Sequence, residues 1–230
     1  MEVGGRMETK NKLYQNQGIH VITSLFTVEQ GVVKVLLIKR RNEPYYGSWV
    51  LTGGALYNNE SLEEGAYREL KEKTGIENIP IKQFKAFGRV DRSPVMRMVA
   101  VAYIGIIDSK RVKVLKESRN TQDADWVPID KIPKLGYDHN EILEAAIEEL
   151  KKEIIHSNIL KSLFPDGITI PELQKTYEAI LNKKFDRRNF RKKILSLNLL
   201  EDTNKQEKFE GNKPAKIYKF KEKIEEIDMI

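Results

Sequence analysis

The segment from Gly54 to Ile76 constrains what this chain can fold into more than any other. It runs Gly54, five residues, Glu60, seven residues, Arg68-Glu69-Leu70, one residue, Glu72-Lys73, one residue, Gly75-Ile76. Residues 60–75 are charged and free of proline, and Gly75 can serve as a C-cap, so the spacing predicts a helix. On that helix Glu69, Glu72 and Lys73 stand at i, i+3 and i+4 and project from one face. Around it lie β-rich runs at 20–28 and 32–40, a Tyr/Gly/Trp turn region, and further strand candidates at 81–90 and 98–107. Ile142, Leu143, Ala146, Ile147 and Leu150 then repeat at helical spacing and predict a helix that closes a first domain. The expected class is α/β over residues 18–156, with 1–17 as a flexible terminus.

The Gly54 to Ile76 spacing resembles the Nudix box, eight of whose nine defined positions are matched. The resemblance implies a Nudix sandwich and extends over the flanking strands, Trp49, the Gly53-Gly54 pair and the closing helix, to about residue 155. In Nudix hydrolases such carboxylates hold Mg²⁺, which bridges a diphosphate and helps activate water. By that resemblance Glu69 and Glu72 are the catalytic and metal-binding candidates, and Arg68 pairs with Glu60. The departure is Lys73, a cation where the box has a glutamate. It predicts a weak Mg²⁺ site and a weak or dead hydrolase, with the pyrophosphate pocket kept. The opposing reading is that Glu69 and Glu72 retain one Mg²⁺ and a slow reaction.

From Ser157 onward the pattern changes to short helices. NILKSLF predicts one, Thr169 to Glu172 with Pro171 looks like the cap and first turn of a second, and Asp186 caps a third carrying Phe190, Ile194 and Leu197 on one face. Strand candidates around LLED and AKIYKF follow. This order is that of a smaller winged helix-turn-helix domain, 157–230. The net charge of +6 is uneven: this part holds 16 Lys/Arg against 12 Asp/Glu. Lys183, Lys184, Arg187, Arg188, Arg191, Lys192 and Lys193 fall within eleven residues, with Asp186 the one acid among them. Such a patch attracts phosphates, although a solvated basic face has the same composition.

Residues 91–103, 123–143, 168–201 and 211–220 resemble the NrtR type of Nudix-related transcriptional regulators, in which a Nudix domain is joined to a winged helix. That resemblance implies a repressor of NAD-synthesis or sugar-use genes whose Nudix domain senses ADP-ribose, a related nucleotide or a sugar. Asp138-His139 and the wing pattern Gly211-x-x-Pro214-Ala215 with Tyr218 carry part of it, the wing with one extra residue before the proline. For DNA the candidates are Arg187, Arg188, Asn189, Arg191, Lys192 and Lys213, with arginines able to read guanine edges and Asn189 either reading adenine or capping a turn. One winged helix reads a short half-site, so a homodimer on a palindromic operator is expected. For the effector the candidates are Arg40, Arg41, Arg92 and Arg97 with the backbone amides of Gly53 and Gly54. Arg40 and Arg41 equally suit strand-end solvent charges. Tyr45, Tyr46 and Trp49 can stack a base or ribose, Trp49 equally a core.

Zero cysteines exclude disulfides and thiolate chemistry, and with three histidines the composition argues against an all-protein zinc cage. No apolar run approaches a membrane span, and the N-terminal residues carry no hydrophobic signal core, so a cytoplasmic protein is expected. The competing function is an active ADP-ribose pyrophosphatase with a C-terminal interaction module.

Overall fold

The structure, a computed structural model, describes residues 17–207 and 214–221. Lys213, Gly211 and residues 1–16 of the stretch expected to be a flexible terminus lie outside the described residues. Gln17 instead begins the first strand.

Six strands form one mixed sheet: β1 (Gln17–Glu29), β2 (Val32–Arg40), β3 (Trp49–Ala55), β4 (Lys82–Phe87), β5 (Arg97–Ile106) and β6 (Thr121–Pro128), in the order β4-β5-β1-β3-β2-β6. β1 runs parallel to β5, from Gln17 opposite Arg97 to Phe26 opposite Ile106; its other edge pairs with β3 and then, past Phe26, with β2. Both faces of the sheet are covered, which explains the near-continuous apolar runs. Alternate residues sort to the two faces. Val21, Leu25, Leu36, Val101 and Tyr103 join the clusters under α1 (Leu62–Thr74). Ile22, Phe26, Val35, Leu37, Ala100 and Ala102 join the cluster that includes Ile142, Leu143, Ala146 and Leu150 of α2 (His139–His156).

Two strands of this sheet were not expected. No strand was expected between the Tyr/Gly/Trp turn region and the box, yet Gly53 and Gly54 sit in the β1–β3 ladder opposite Ile22 and Val21, and the turn is confined to 41–48. Glycine suits both positions, because a Cβ at Gly53 would meet the Val21 carbonyl of β1 and one at Gly54 the Glu69 carboxyl of α1. β6 was hidden by its polar sequence, TQDADWVP, which suits an edge strand paired only with β2.

α1 begins with a capping box, in which Ser61 accepts from the Glu64 N–H and the Glu64 carboxylate accepts from the Ser61 N–H. It ends at Gly75 with φ 73°, as the C-cap reading requires. Beyond α2 come a short 3-10 turn at Ile159–Ser162, β7 (Ile168–Thr169), α3 (Ile170–Leu181), α4 (Arg187–Ser196), β8 (Leu200–Glu207) and β9 (Ala215–Phe220). Thr169 and Glu172 form the expected capping box of α3, and Asp186 accepts from the Asn189 N–H at 2.9 Å to cap α4. β7 adds a third strand, giving the order β7-β9-β8. The two parts share apolar packing: the cluster under α2 continues through Leu160, Leu173, Tyr177, Phe190 and Ile194 to Phe220. The Tyr177 hydroxyl on α3 donates to the carbonyl of Ile154 near the end of α2 at 2.8 Å, and Arg111 pairs with Asp166.

Candidate functional sites

On α1 the helical spacing delivers the expected face, and Arg68 organises it. Its guanidinium donates to both oxygens of Glu60 at 2.8 and 2.6 Å, to the Ala55 carbonyl at 2.9 Å and to Glu69 at 2.6 Å, and it lies 3.8 Å from the Tyr57 ring centroid. These bonds lower the Glu60 carboxyl below its ordinary range and raise Arg68 further. The Glu60–Arg68 pair implied by the Nudix box is therefore present, tying the loop before α1 to the helix.

Glu69 and Lys73 are both buried, with Lys73 Nζ 2.8 Å from Glu69 Oε2 and donating also to the Gly53 carbonyl. A Cβ added at Gly54 would overlap the Glu69 carboxyl group, so the box's first glycine leaves room for that side chain against the strand. Glu72 is half exposed and 3.7 Å from Arg68. These residues do not fit a Mg²⁺ ion. Glu69 is already engaged by two cations, Glu72 stands apart from the Lys73 contact, and among the described residues no group of three His, Cys, Asp or Glu side chains is placed to hold a metal.

The effector candidates divide. Arg92 is buried, and its Nε and Nη2 donate to the two oxygens of Asp138 at 2.9 and 2.8 Å, so it is not a free cation at a groove surface. Arg41 turns outward to Glu117 and the Thr121 carbonyl, and Arg97 holds its own loop through the carbonyls of Arg89 and Met98. Arg40 donates to the Pro44 carbonyl at 2.8 Å and lies 5.2 Å from the Tyr137 ring centroid. The amides of Gly53 and Gly54 belong to a strand and not to a phosphate-cradling loop.

His20 is not marked by any sequence motif, and His139 enters only through the Asp138-His139 element, where a histidine before a helix suits capping or packing. Burial first, then the charges of Arg92 and Lys73, holds His20 down to about 4. Burial, Arg92 and Arg40 hold His139 down to about 3. His139 Nδ1 accepts from the Leu51 N–H at 3.0 Å, which places any ring proton on Nε2 and disfavours a second one. Asp138-His139 is thus a packing element that fixes α2 to Arg92 and to β3. Beside it Tyr137 stacks on His139 at 5.5 Å and meets Tyr45 at 4.5 Å. Both tyrosines occupy positive φ, 56° and 65°, a conformation that side-chain-bearing residues adopt rarely and at a cost. Trp49 packs against the core, while Tyr46 is exposed.

On α4, Phe190 and Ile194 are buried and Leu197 is partly so, while Arg187, Arg188, Asn189, Arg191 and Lys192 are all exposed. The amphipathic split read from the sequence therefore holds, and the exposed cations share one short helix.

Two family models match this chain, the NUDIX domain over residues 18–155 and the NrtR DNA-binding winged helix domain over 160–220. An Acinetobacter baylyi protein named ADPR responsive transcriptional repressor NtrR is 31% identical over 211 residues, covering 90% of this chain and 83% of that protein. The chain belongs to the NrtR family. NrtR of Shewanella oneidensis, solved in complex with a 27mer DNA, superposes with a TM-score of 0.77 at 30% identity, covering 88% of this chain and 93% of that one. The NUDIX domain of the same NrtR, solved with ADP ribose, gives a TM-score of 0.56 at 31% identity over 62% of this chain and 94% of that one. Its family thus accounts for the pairing of a Nudix sandwich with a winged helix.

Proposed function

We propose that this protein is an ADP-ribose-responsive transcriptional repressor, with an effector-binding part at 18–156 and an operator-binding part at 157–230. The observation that carries this reading is that the likeness to NrtR repressors runs through both parts of one chain, the DNA-complexed relative covering 88% of it. In this reading the effector lies near Lys73 of α1 and the start of α2. There Arg40 supplies a cation and Tyr45 and Tyr137 an aromatic wall, while Arg92 acts through Asp138. Arg187, Arg188, Asn189, Arg191 and Lys192 contact DNA, joined by Lys213 in the wing. Each winged helix takes one half of a palindromic site, so the working form is a homodimer. The protein is cytoplasmic, and its hydrolase activity is weak or lost.

The test selects duplexes that the purified protein enriches from a random library, then titrates ADP-ribose, NAD and free sugars against the bound complex. The expected result is an inverted repeat among the selected sequences and release by ADP-ribose. Release by a sugar instead would change the effector. Failure to enrich any sequence, together with ADP-ribose turnover of about 1 per second or faster, would favour the hydrolase.

A further inference from the structure

We propose that the Lys73 ammonium is a resident cation which replaces the divalent ion of the Nudix site, so that a nucleoside-diphosphate effector binds without Mg²⁺. The placement of the effector rests on the preceding reading; the resident cation itself does not.

Two oxygens of the kind that hold a hard cation, the Glu69 carboxylate and the Gly53 carbonyl, converge on Lys73 Nζ. They come from different elements, α1 and β3, and are brought together because Gly54 leaves space for the Glu69 carboxyl against the strand. An ammonium bonds oxygen at about 2.7–2.9 Å, whereas Mg²⁺ requires about 2.0–2.1 Å and six such partners. The two cannot share the position. A divalent ion would have to expel a buried lysine from its carboxylate while being repelled by it and by Arg68, which engages the other Glu69 oxygen at 2.6 Å. Lys73 Nζ donates to the Gly53 carbonyl and forms an ion pair with Glu69 at 2.8 Å, and an ammonium has three N–H donors to distribute between these oxygens and an incoming anion.

The wider charge pattern agrees. Arg40, Arg92 and Lys73 all act on His139, and the same three with Glu69 act on His20, so these groups share one neighbourhood. A metal-dependent diphosphate site built from carboxylates is anionic until its ion arrives. Here the positive charge is covalently attached, and the site is ready for an anion in the absence of any ion. A sensor built this way reports the nucleotide alone and stays insensitive to the free Mg²⁺ concentration.

The test measures ADP-ribose binding to the full chain by calorimetry, in Mg²⁺ and in EDTA, and Mn²⁺ binding by electron paramagnetic resonance with the metal alone. For the wild type, the expected dissociation constants agree within about twofold in Mg²⁺ and EDTA, and Mn²⁺ stays free. Lys73→Met should weaken ADP-ribose about tenfold or more in both buffers. Lys73→Glu should bind Mn²⁺ and make ADP-ribose binding depend on Mg²⁺. Wild-type binding that requires Mg²⁺, or tight Mn²⁺ binding by the wild type, overturns the proposal, and neither measurement depends on a variant folding. A Lys73→Met protein that binds ADP-ribose as the wild type does also overturns it. If ADP-ribose binds in neither buffer, the effector assignment has failed instead, and the Mn²⁺ measurements still decide whether Lys73 holds the cation position.

Discussion

Asp138→Ala isolates the Arg92–Asp138 pair, the most deeply buried charge pair at the site. Both side chains are 2% exposed and are joined by two hydrogen bonds at 2.8 and 2.9 Å. Removing the carboxylate leaves a buried guanidinium whose charge, like those of Arg40 and Lys73, acts on His20 and His139. Stranding one partner of a buried pair costs about 3–5 kcal/mol. At about 2–4 °C per kcal/mol for a chain of this size, the melting temperature should fall by roughly 6–20 °C. The control is Asp138→Leu combined with Arg92→Met, which removes both charges and should recover most of the loss, since an apolar replacement of a whole buried pair is often near neutral. Thermal unfolding by circular dichroism at neutral pH, with far-ultraviolet spectra confirming the fold at low temperature, reads both. A single variant within about 2 °C of wild type would mean that water reaches the guanidinium. A double variant as unstable as the single would mean that shape, not charge, is what the pair supplies. ADP-ribose binding by the double variant then separates a structural Arg92, which leaves affinity near wild type, from one that touches the effector.

Further measurements address the remaining contacts. His139 is neutral in both folded and unfolded chains above about pH 6.5; as the pH falls toward its folded value of about 3, the unfolded chain takes the proton first. His139 should therefore contribute a drop of about 1.4 kcal/mol per pH unit below 6.5, and His20 one of the same sign and similar slope down to about pH 4; urea unfolding at pH 7.5 and 5.0 should show a shallower loss in His139→Gln, and an unchanged loss would refute the assignment. Gly54→Ala should cost about 1–3 kcal/mol, because its methyl group meets the Glu69 carboxyl; an unaltered melting temperature would show that this carboxylate can move. Among Arg187→Ala, Arg188→Ala and Arg191→Ala, loss of a phosphate contact should reduce the salt slope by about 0.9 per subunit on every duplex, whereas loss of a base contact should cost about 1–3 kcal/mol on the selected sequence alone. Three variants that bind like the wild type near 0.15 M salt would remove DNA from this helix. Tyr177→Phe should keep the ring packing, lose the bond to the Ile154 carbonyl, and shrink the factor by which ADP-ribose weakens DNA binding; an unchanged factor would exclude that bond from the coupling.

Periodicity and caps made most of the fold legible. Gly75, Thr169 with Glu172, and Asp186 mark element ends through local chemistry, and the structure places caps at each. The strands that escaped notice are those whose residues answer to distant partners. Gly53 and Gly54 did not read as strand because what requires glycine there, the β1 backbone at Val21 for Gly53 and the Glu69 carboxyl for Gly54, arrives from other elements. The site was legible only in its helical part. Glu60, Arg68, Glu69 and Lys73 are related by helix spacing or by a motif, while Arg92 and Asp138 lie 46 residues apart and meet through the topology. A list of surface-type residues therefore named Arg92 as a cation without showing that its charge is already met.

In the proposed reading, the route from effector to DNA follows from where α2 begins and ends. Its first residue, His139, accepts from the Leu51 amide of β3, and the residue before it, Asp138, grips Arg92, so this end is fixed by the groups around the effector face. Eighteen residues of helix, about 27 Å at 1.5 Å each, carry that anchorage to the winged helix. At the far end the Ile154 carbonyl accepts from Tyr177, and the Tyr177 ring meets Phe190 edge-on at 5.5 Å. Phe190 is a buried residue of α4, and its neighbours Asn189 and Arg191 face solvent on the basic side. A close-packed interior transmits displacement because it has few alternative arrangements. On that reading, an anion drawn to the cations around His20 and His139 would act on the fixed end of a rod whose other end seats α4. In a dimer, a small rotation at that seat changes the distance between two such helices, which is the quantity a palindromic site reads.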